Sequence, residues 1–380
     1  MGRQGVRLGL IGTGLMGREI AAAILRWCSI LEGPPQPRIV AVCGRDLGRR
    51  RWFEEALPGI QSTPDYRELL ANPDVDAVYC AVPHDLHQRF YVDTMGSGKH
   101  LLGEKPFGID QAANSAILEE VARHPELVVR CASQLAFYPG AQRVLRLARD
   151  NAFGRILEAE VTFRHSSDLD PLKPINWKRR AETNGEYGCM GDLGMHILFL
   201  PLRMGWAVRN VRAILSKVVD QRPDGQGGMA PCDTWDNATL LCEAEAGGSL
   251  FPLTVKTQRI APGEMNTWSI SVLGTETSAR FSTKYPRTLE TLRYRRGEPQ
   301  AWLHEDLGYA SVYPSIAGAI FEFGFSDAIL QMLAAFFDEV PRGPGGEVPF
   351  GCVTPEETRV EHSLFTAALD SQRGSRVVSL

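Results

Sequence analysis

The chain has 380 residues, 44% hydrophobic and 23% charged, with Lys+Arg 41 against Asp+Glu 45. At ~150 residues per domain this length suggests two domains, each able to bury a core without disulfide or metal staples. A net charge of −4 with a pI near 6.1 speaks against a nucleic-acid surface or a polybasic membrane patch. The apolar runs, such as Ile20–Leu25 and Ile197–Leu202, fall far short of the ~18 residues a membrane-spanning helix needs. The polar start at Met1–Gly5 carries no signal-peptide apolar segment. Eight scattered cysteines without a C-x-x-C pair read as reduced core residues of a cytoplasmic protein.

Val6–Ile11 is a short strand-like run closed by Gly12, and Leu15–Trp27 has helical spacing with Ile20, Ala23, Ile24 and Trp27 on one side. Ile39–Cys43 reads as a strand, Arg49–Leu57 and Asp65–Leu70 as helices, Ala77–Val82 as a strand ending at Pro83, and His87–Met95 as a helix. His100–Leu102 is a strand leading into Glu104-Lys105-Pro106, followed by a helix at Gln111–Arg123 and a strand at Leu127–Ala132. Strands separated by helices imply right-handed βαβ crossovers and a parallel sheet. Beyond Pro139 the texture changes. A helix at Gly140–Asp150, an alternating strand at Arg155–Arg164 and a helix at Asp192–Met204 precede six strand-like runs: Val208–Val219, Asn237–Ala244, Ser249–Thr257, Thr267–Leu273, Ala279–Ser282 and Leu289–Arg293. Turn residues at 246–248, 261–263 and 273–275 mark hairpins. Arg222–Pro231 and Arg342–Glu347 read as loops, and Gln331–Val340 and Pro355–Asp370 as closing helices. The expected class is α/β: an α/β domain over residues 1–132, then an α+β domain over 133–380 built on an open antiparallel sheet with helices on one face. Leu240, Leu250, Phe251, Leu253, Ile270, Val272 and Phe281 are expected to give that sheet an exposed apolar face, which implies a homodimer or homotetramer.

Three motifs carry chemistry. Gly12-Thr13-Gly14-Leu15-Met16-Gly17 is a G-x-G-x-x-G that follows a strand and opens a helix, the setting in which backbone amides meet a dinucleotide pyrophosphate. At the second strand end, Gly44 stands where NAD sites place an acid, followed by Arg45 and then Arg49, Arg50 and Arg51. Guanidinium groups suit a 2′-phosphate, so NADP is favoured over NAD; Asp46, one position later, keeps NAD open. Glu104-Lys105-Pro106 lies just past a parallel strand, where open α/β sheets bind ligands. Asp192-x-x-x-His196 places a carboxylate and an imidazole on one helix face, with Gly188, Gly191 and Gly194 letting backbone approach a ligand. Such a pair is ordinarily a surface pair; the lysine motif upstream favours the chemical reading. Neither His84-x-x-His87 nor Asp192/His196 has a third ligand, so no metal is expected.

In this order the motifs resemble the Gfo/Idh/MocA family of oxidoreductases, with further matches at Asp76-Ala77-Val78, Val82-Pro83, His87 and Trp177-Lys178. The resemblance spans residues 6–210 by motif and the remainder by layout. It implies an N-terminal Rossmann dinucleotide-binding domain and a C-terminal domain whose large open antiparallel sheet often makes subunit contacts. It also implies hydride transfer between NAD or NADP and a secondary alcohol of a sugar, cyclitol or related polyol. The family's catalytic residues map onto Lys105, Asp192 and His196. Cofactor contacts are expected from Gly12, Thr13, Gly14, Leu15, Met16, Gly44, Arg45, Ala81, Val82, Pro83, His84, His87, Glu104, Lys105 and Gln134. Substrate contacts are expected from Lys105, Gln134, Trp177, Lys178, Tyr187, Asp192 and His196.

The residue chemistry points the same way. Hydride leaves a carbinol carbon only as its hydroxyl loses a proton, which a histidine accepts near neutrality. A cation beside the oxygen stabilises the alkoxide, which suits Lys105, oriented by Glu104. His84 stands where relatives carry Asn, which leaves its role open, and Ala136 where many carry Arg, which weakens any inference to a sugar acid. Two other functions fit the same motifs. One is an NAD-assisted glycoside hydrolase or lyase that recycles a tightly held cofactor. The other is a non-catalytic NAD(P) sensor, which would have no need of Lys105, Asp192 and His196.

Overall fold

The structure, a computed structural model, describes residues 5–307, 311–317 and 321–380. Residues 1–4 of the polar start lie outside them. Strands β1 (Arg7–Ile11), β2 (Arg38–Cys43), β3 (Gln61–Thr63), β4 (Ala77–Cys80), β5 (His100–Glu104) and β6 (Val129–Ala132) alternate with helices α1 (Leu15–Leu25), α2 (Leu47–Ala56), α3 (Tyr66–Ala71), α4 (His87–Gly96) and α5 (Gln111–Arg123). The strands pair in parallel in the order β3-β2-β1-β4-β5-β6. This doubly wound order has its switch point between β1 and β4. Leu10, Val78 and Tyr79 have no exposed surface, as strands covered on both faces require. Asp46, Asp65 and Asp110 cap α2, α3 and α5 by accepting from the amides of Arg49, Arg67 and Ala113. The short edge strand β3 carries no apolar pattern and is not legible in the sequence.

The chain continues through α6 (Pro139–Arg149), β7 (Ile156–Arg164), α7 (Ala181–Asn184), α8 (Cys189–Leu193), α9 (Phe199–Arg203) and β8 (Ala207–Ser216). A small hairpin of β9 (Gln221–Pro223) and β10 (Met229–Pro231) occupies the segment expected as a loop. β11 (Asn237–Ala246), β12 (Ser249–Gln258), β13 (Thr267–Gly274), β14 (Thr277–Ser282), β15 (Thr288–Arg293) and β16 (Leu303–Asp306) follow, then α10 (Phe325–Glu339), α11 (Pro355–Gly374) and β17 (Val378–Ser379). Among the described residues the second sheet has nine strands in the order β16-β15-β14-β13-β7-β12-β11-β8-β17. It is mixed rather than purely antiparallel, because β7 inserts between β12 and β13 and runs parallel to β12. Hairpins join sequence neighbours in antiparallel pairs, whereas β7 comes from far upstream and is free of that constraint.

The apolar strand residues also face the opposite way from the expectation. Leu240, Phe251, Leu253, Ile270, Val272 and Phe281 are buried at 3% exposure or less, and only Leu250 of that set is open, at 49%. Strand side chains alternate between faces, and this set belongs to the inner one, where Trp268 and Phe281 meet edge to face and Gly140 of α6 lies directly on the Phe281 ring. The outer face carries Ile214, Leu241 and Leu250 among polar residues such as the Lys256–Glu160 pair.

Packing divides the chain into two units, Met1–Phe137 with Ser311–Thr358, and Tyr138–Ala310 with Arg359–Leu380. The segment around α10 belongs to the first unit. That helix is apolar nearly all round, with residues from Ala328 to Phe337 buried. Trp27 meets Phe337 at 5.9 Å, Arg26 pairs with Asp327 at 2.6 Å, and Arg130 forks onto Glu339. No helix among the described residues is long and apolar enough to cross a membrane, and none of the eight cysteines is in a disulfide.

Candidate active site

In the first unit, the loops leaving the C-terminal ends of β1, β2, β4 and β5 carry most of the expected cofactor residues. Gly12 takes φ +113°, and a side chain there would strike the Ala81 carbonyl. A side chain at Gly17 would strike the Gly12 carbonyl, so this glycine lets α1 close onto β1. Gly14 is different. A Cβ there meets nothing within 4 Å, and this N-cap of α1 makes no side-chain hydrogen bond. Open space over uncapped helical amides is a cradle for an anion such as a pyrophosphate. Thr13 is buried, Met16 half-buried and Leu15 exposed at 83% beside it.

The end of β2 gives a steric reason for the missing acid. A Cβ on Gly44 would lie 2.3 Å from Thr13 Oγ1, so no carboxylate fits there unless Thr13 moves. Asp46 is occupied as the cap of α2, accepting from the Arg49 amide at 2.9 Å. Arg50 donates to the Gly44 carbonyl at 2.5 Å, while Arg45, Arg49 and Arg51 are exposed.

The loop after β5 is gripped from several sides. Tyr79 donates to Glu104 Oε1 at 2.6 Å and Tyr91 to the Glu104 carbonyl at 2.7 Å, both phenols fully buried. Burial first, and then the Glu104 charge, push the Tyr79 hydroxyl well above its ordinary value, so it stays a neutral donor. The carboxylate expected to orient Lys105 is thus itself held by Tyr79. Lys105 is half-buried, its peptide to Pro106 is cis, and Asn114 donates to the Phe107 carbonyl at 2.9 Å. His87 has no exposed surface. Its Nδ1 accepts from the Gly108 amide at 3.4 Å, so Nε2 carries the proton and donates to the Val82 carbonyl at 3.1 Å. His87 therefore ties the loop after β4 to the loop after β5. His84, 2% exposed, lies 5.4 Å from it ring to ring, Ala81, Val82 and Pro83 are half-buried, and Gln134 is buried.

Asp192 and His196 belong to the second unit. The single helix expected over 192–204 is instead broken: Asp192 is in α8, Gly194–His196 form a 3-10 turn, and α9 starts at Phe199. The pair therefore does not share one regular helix face. Two of the three glycines are spent on close packing with this chain's own residues: a Cβ on Gly188 would strike the Trp235 backbone, and one on Gly194 the Phe365 ring. Tyr187, expected to face substrate, is buried at 3% exposure, with its hydroxyl 2.7 Å from Thr366 Oγ1 on α11 and its ring near Phe365. Asp192 is 1% exposed and His196 7%, the imidazole edge-on to Phe163 at 5.5 Å. Lys178 donates to both Asp192 oxygens, at 3.1 and 3.2 Å, with its ammonium 5.5 Å from the Trp177 ring centre.

Four further residues escape sequence reading. Arg259 forms an ion pair with Asp192 and lies 3.7 Å from Asp168. Asp168 also pairs with Arg179, and with Lys173 at 2.7 Å. Arg179, with no exposed surface, also pairs with Asp236. The pairs made by Arg259 and by Asp236 join residues 57 or more positions apart along the chain, so no local spacing signals them. Among the described residues no group of His, Cys, Asp and Glu is arranged to hold a metal ion.

Two family models match. Residues 6–130 match the GFO_IDH_MocA oxidoreductase model, described as an NAD-binding Rossmann fold, and residues 141–280 the GFO/IDH/MocA C-terminal domain. Levoglucosan dehydrogenase of Pseudarthrobacter phenanthrenivorans is 26% identical over 299 residues, 73% of this chain and 74% of that protein. A solved structure of levoglucosan dehydrogenase in complex with NADH superposes with TM-score 0.88 at 22% identity, covering 99% of both chains. An inositol dehydrogenase homologue from Azotobacter vinelandii, in complex with NAD+, gives TM-score 0.82 at 22% identity over 100% of this chain and 98% of the other. With its six-stranded Rossmann sheet, its uncapped glycine loop and its mixed C-terminal sheet, the chain belongs to the GFO/IDH/MocA family of oxidoreductases.

Proposed function

We propose that this protein moves hydride between a nicotinamide dinucleotide and a secondary alcohol or ketone of a sugar, cyclitol or related polyol. The observation that carries this reading is the buried Asp192 carboxylate, held by Lys178 four residues before His196, in a chain whose first unit holds Lys105 at the end of β5. The 26% identity to levoglucosan dehydrogenase over 73% of the chain supports the substrate class. When bound, the nicotinamide supplies the hydride acceptor. His196 takes the hydroxyl proton as the carbonyl forms. Lys105 places a cation beside the oxygen and lowers the energy of the developing alkoxide. Asp192 holds the substrate hydroxyl or tunes the proton-transfer groups, and Trp177 offers an aromatic face to a sugar ring. A panel of sugars, anhydrosugars and cyclitols, followed by nicotinamide absorbance with NAD and NADP, tests the reading. Reduction of the cofactor by at least one member is the expected result; substrate breakdown without net reduction would replace it with the hydrolase or lyase alternative.

For the cofactor, the wedge of Gly44 against Thr13 and the use of Asp46 as a helix cap leave exposed Arg45 to meet the adenosine ribose. This arrangement favours NADP. Charge-assisted hydrogen bonds are worth roughly 1.5–3 kcal/mol, so Arg45→Ala is expected to cut the NADP-over-NAD preference by about tenfold or more. An unchanged ratio of kcat/KM values for the two cofactors would remove Arg45 from that role.

We also infer self-association of two or more copies through the outer face of the second sheet, where Ile214, Leu241 and Leu250 are about half exposed. Light scattering is expected to give at least twice the 42.0 kDa chain mass, and Leu241→Glu, which places a charge on that face, is expected to shift the distribution toward monomer.

A further inference from the structure

Asp192 stands at one end of a buried array of alternating charges. Arg259, 5% exposed, pairs with it just past the end of β12, where the Arg259 amide donates to the Asp236 carbonyl at 2.9 Å. The same guanidinium faces Asp168, which is gripped by Arg179 and Lys173. Arg179 bridges on to Asp236, whose Oδ2 accepts from the amides of Val218 and Val219 at 2.6 and 3.1 Å. Arg222, also buried, closes the Asp168 segment by donating to the carbonyls of Asp168 and Asp170. Burial pushes the Arg259 guanidinium down to about 10, with the neighbouring Arg179 acting in the same direction and Asp168 against both, and this still leaves it charged at neutral pH.

A buried ion array is a poor way to gain stability, since apolar residues of the same volume often do as well or better. What a planar guanidinium provides is direction: its N–H groups donate to a carboxylate in a narrow set of orientations. We infer that Arg259 is a positioning residue for the reaction, holding the Asp192 carboxylate in one orientation against Lys178, and that the Asp168–Arg179–Asp236 array holds Arg259. The inference rests on the placement of Asp192 in the catalytic site proposed above.

The test is a double-mutant cycle. Arg259→Gln and Arg259→Lys are made in the wild-type enzyme and in an Asp192→Asn background, and kcat and KM are measured for each with a substrate found in the panel. Arg259→Gln is expected to lower kcat by about 10²-fold, the cost of a misplaced catalytic group, with little change in KM. Arg259→Lys, which keeps the charge, is expected to recover part of that loss. In the Asp192→Asn background the effect of Arg259→Gln is expected to shrink to less than about threefold, because the group it positions is gone. Losses that multiply in full across the two backgrounds, or an effect confined to KM, would overturn the inference while leaving Asp192 in place. Wild-type turnover by Asp192→Asn itself would overturn the site assignment and the inference together. If circular dichroism shows that Arg259→Gln does not fold, the cycle is run with Arg259→Lys and judged by the same coupling.

Discussion

Replacing Lys105 by alanine is expected to lower kcat by about 10²–10³-fold, the usual cost of removing one preorganised group from a developing oxyanion. Dinucleotide affinity is expected to persist. The separation follows from how the loop is built. Its backbone is held by Tyr91 on the Glu104 carbonyl, by His87 between Val82 and Gly108, and by Asn114 on the Phe107 carbonyl. These contacts hold the loop through its backbone amides and carbonyls, so the loop path is expected to survive the substitution. Single-turnover kinetics together with fluorescence titration of the reduced cofactor measure the two quantities. Turnover at the wild-type rate would take Lys105 out of the reaction, and a parallel loss of cofactor affinity would make it a binding residue.

The largest effect on stability is expected from Arg179→Met. The substitution keeps most of the side-chain volume but leaves Asp168 and Asp236, exposed at 2% and 1%, without the cation they share. Breaking a buried pair from one side costs roughly 3–5 kcal/mol, because the remaining charge is stranded in low dielectric. Burial opposes ionisation of Asp168, but Arg179, Lys173 and Arg259 more than offset it and hold the carboxyl below its ordinary value. A lowered folded-state value means that this carboxylate stabilises the fold fully above the ordinary carboxylate range and loses that contribution as pH falls through the lowered value. The gap between wild type and Arg179→Met is therefore widest near neutrality and narrows in acid. Urea unfolding at a series of pH values measures it. A gap under about 1 kcal/mol at neutral pH, the scale of a surface pair, would show that these ions are solvated and not sealed in the core.

The motif half of the site was legible because its parts are local. G-x-G-x-x-G and Glu104-Lys105-Pro106 are constraints within a few residues of chain, imposed where a strand ends and the backbone must turn toward a ligand. The alternation of apolar runs and helical spacing likewise carried the parallel sheet of the first unit, since a strand covered on both faces has little choice but to be continuously apolar. The reading failed where local pattern and packing separated. Residues 192–204 have helical spacing, yet the chain runs through them as short α-helical and 3-10 turns packed against other elements, Gly194 lying against the Phe365 ring. The apolar residues of the second sheet were recognised, but a period of two does not say which face is covered, and the face carrying Phe251, Leu253 and Phe281 proved to be the inner one.

The chain's local sequence thus settled the oxidoreductase family and its Rossmann sheet, and nominated residues for the chemistry, because turn geometry and periodicity act over a few residues. Tertiary structure alone decided three other matters. It returned α10 to the first unit, turned Tyr187 toward α11, and gathered Asp168, Arg179, Asp236 and Arg259 into one array with Asp192 at its end. The reason is physical. A buried charge must find its counter-ion wherever the fold brings one, and partners separated by tens of residues leave no mark in the spacing of either segment.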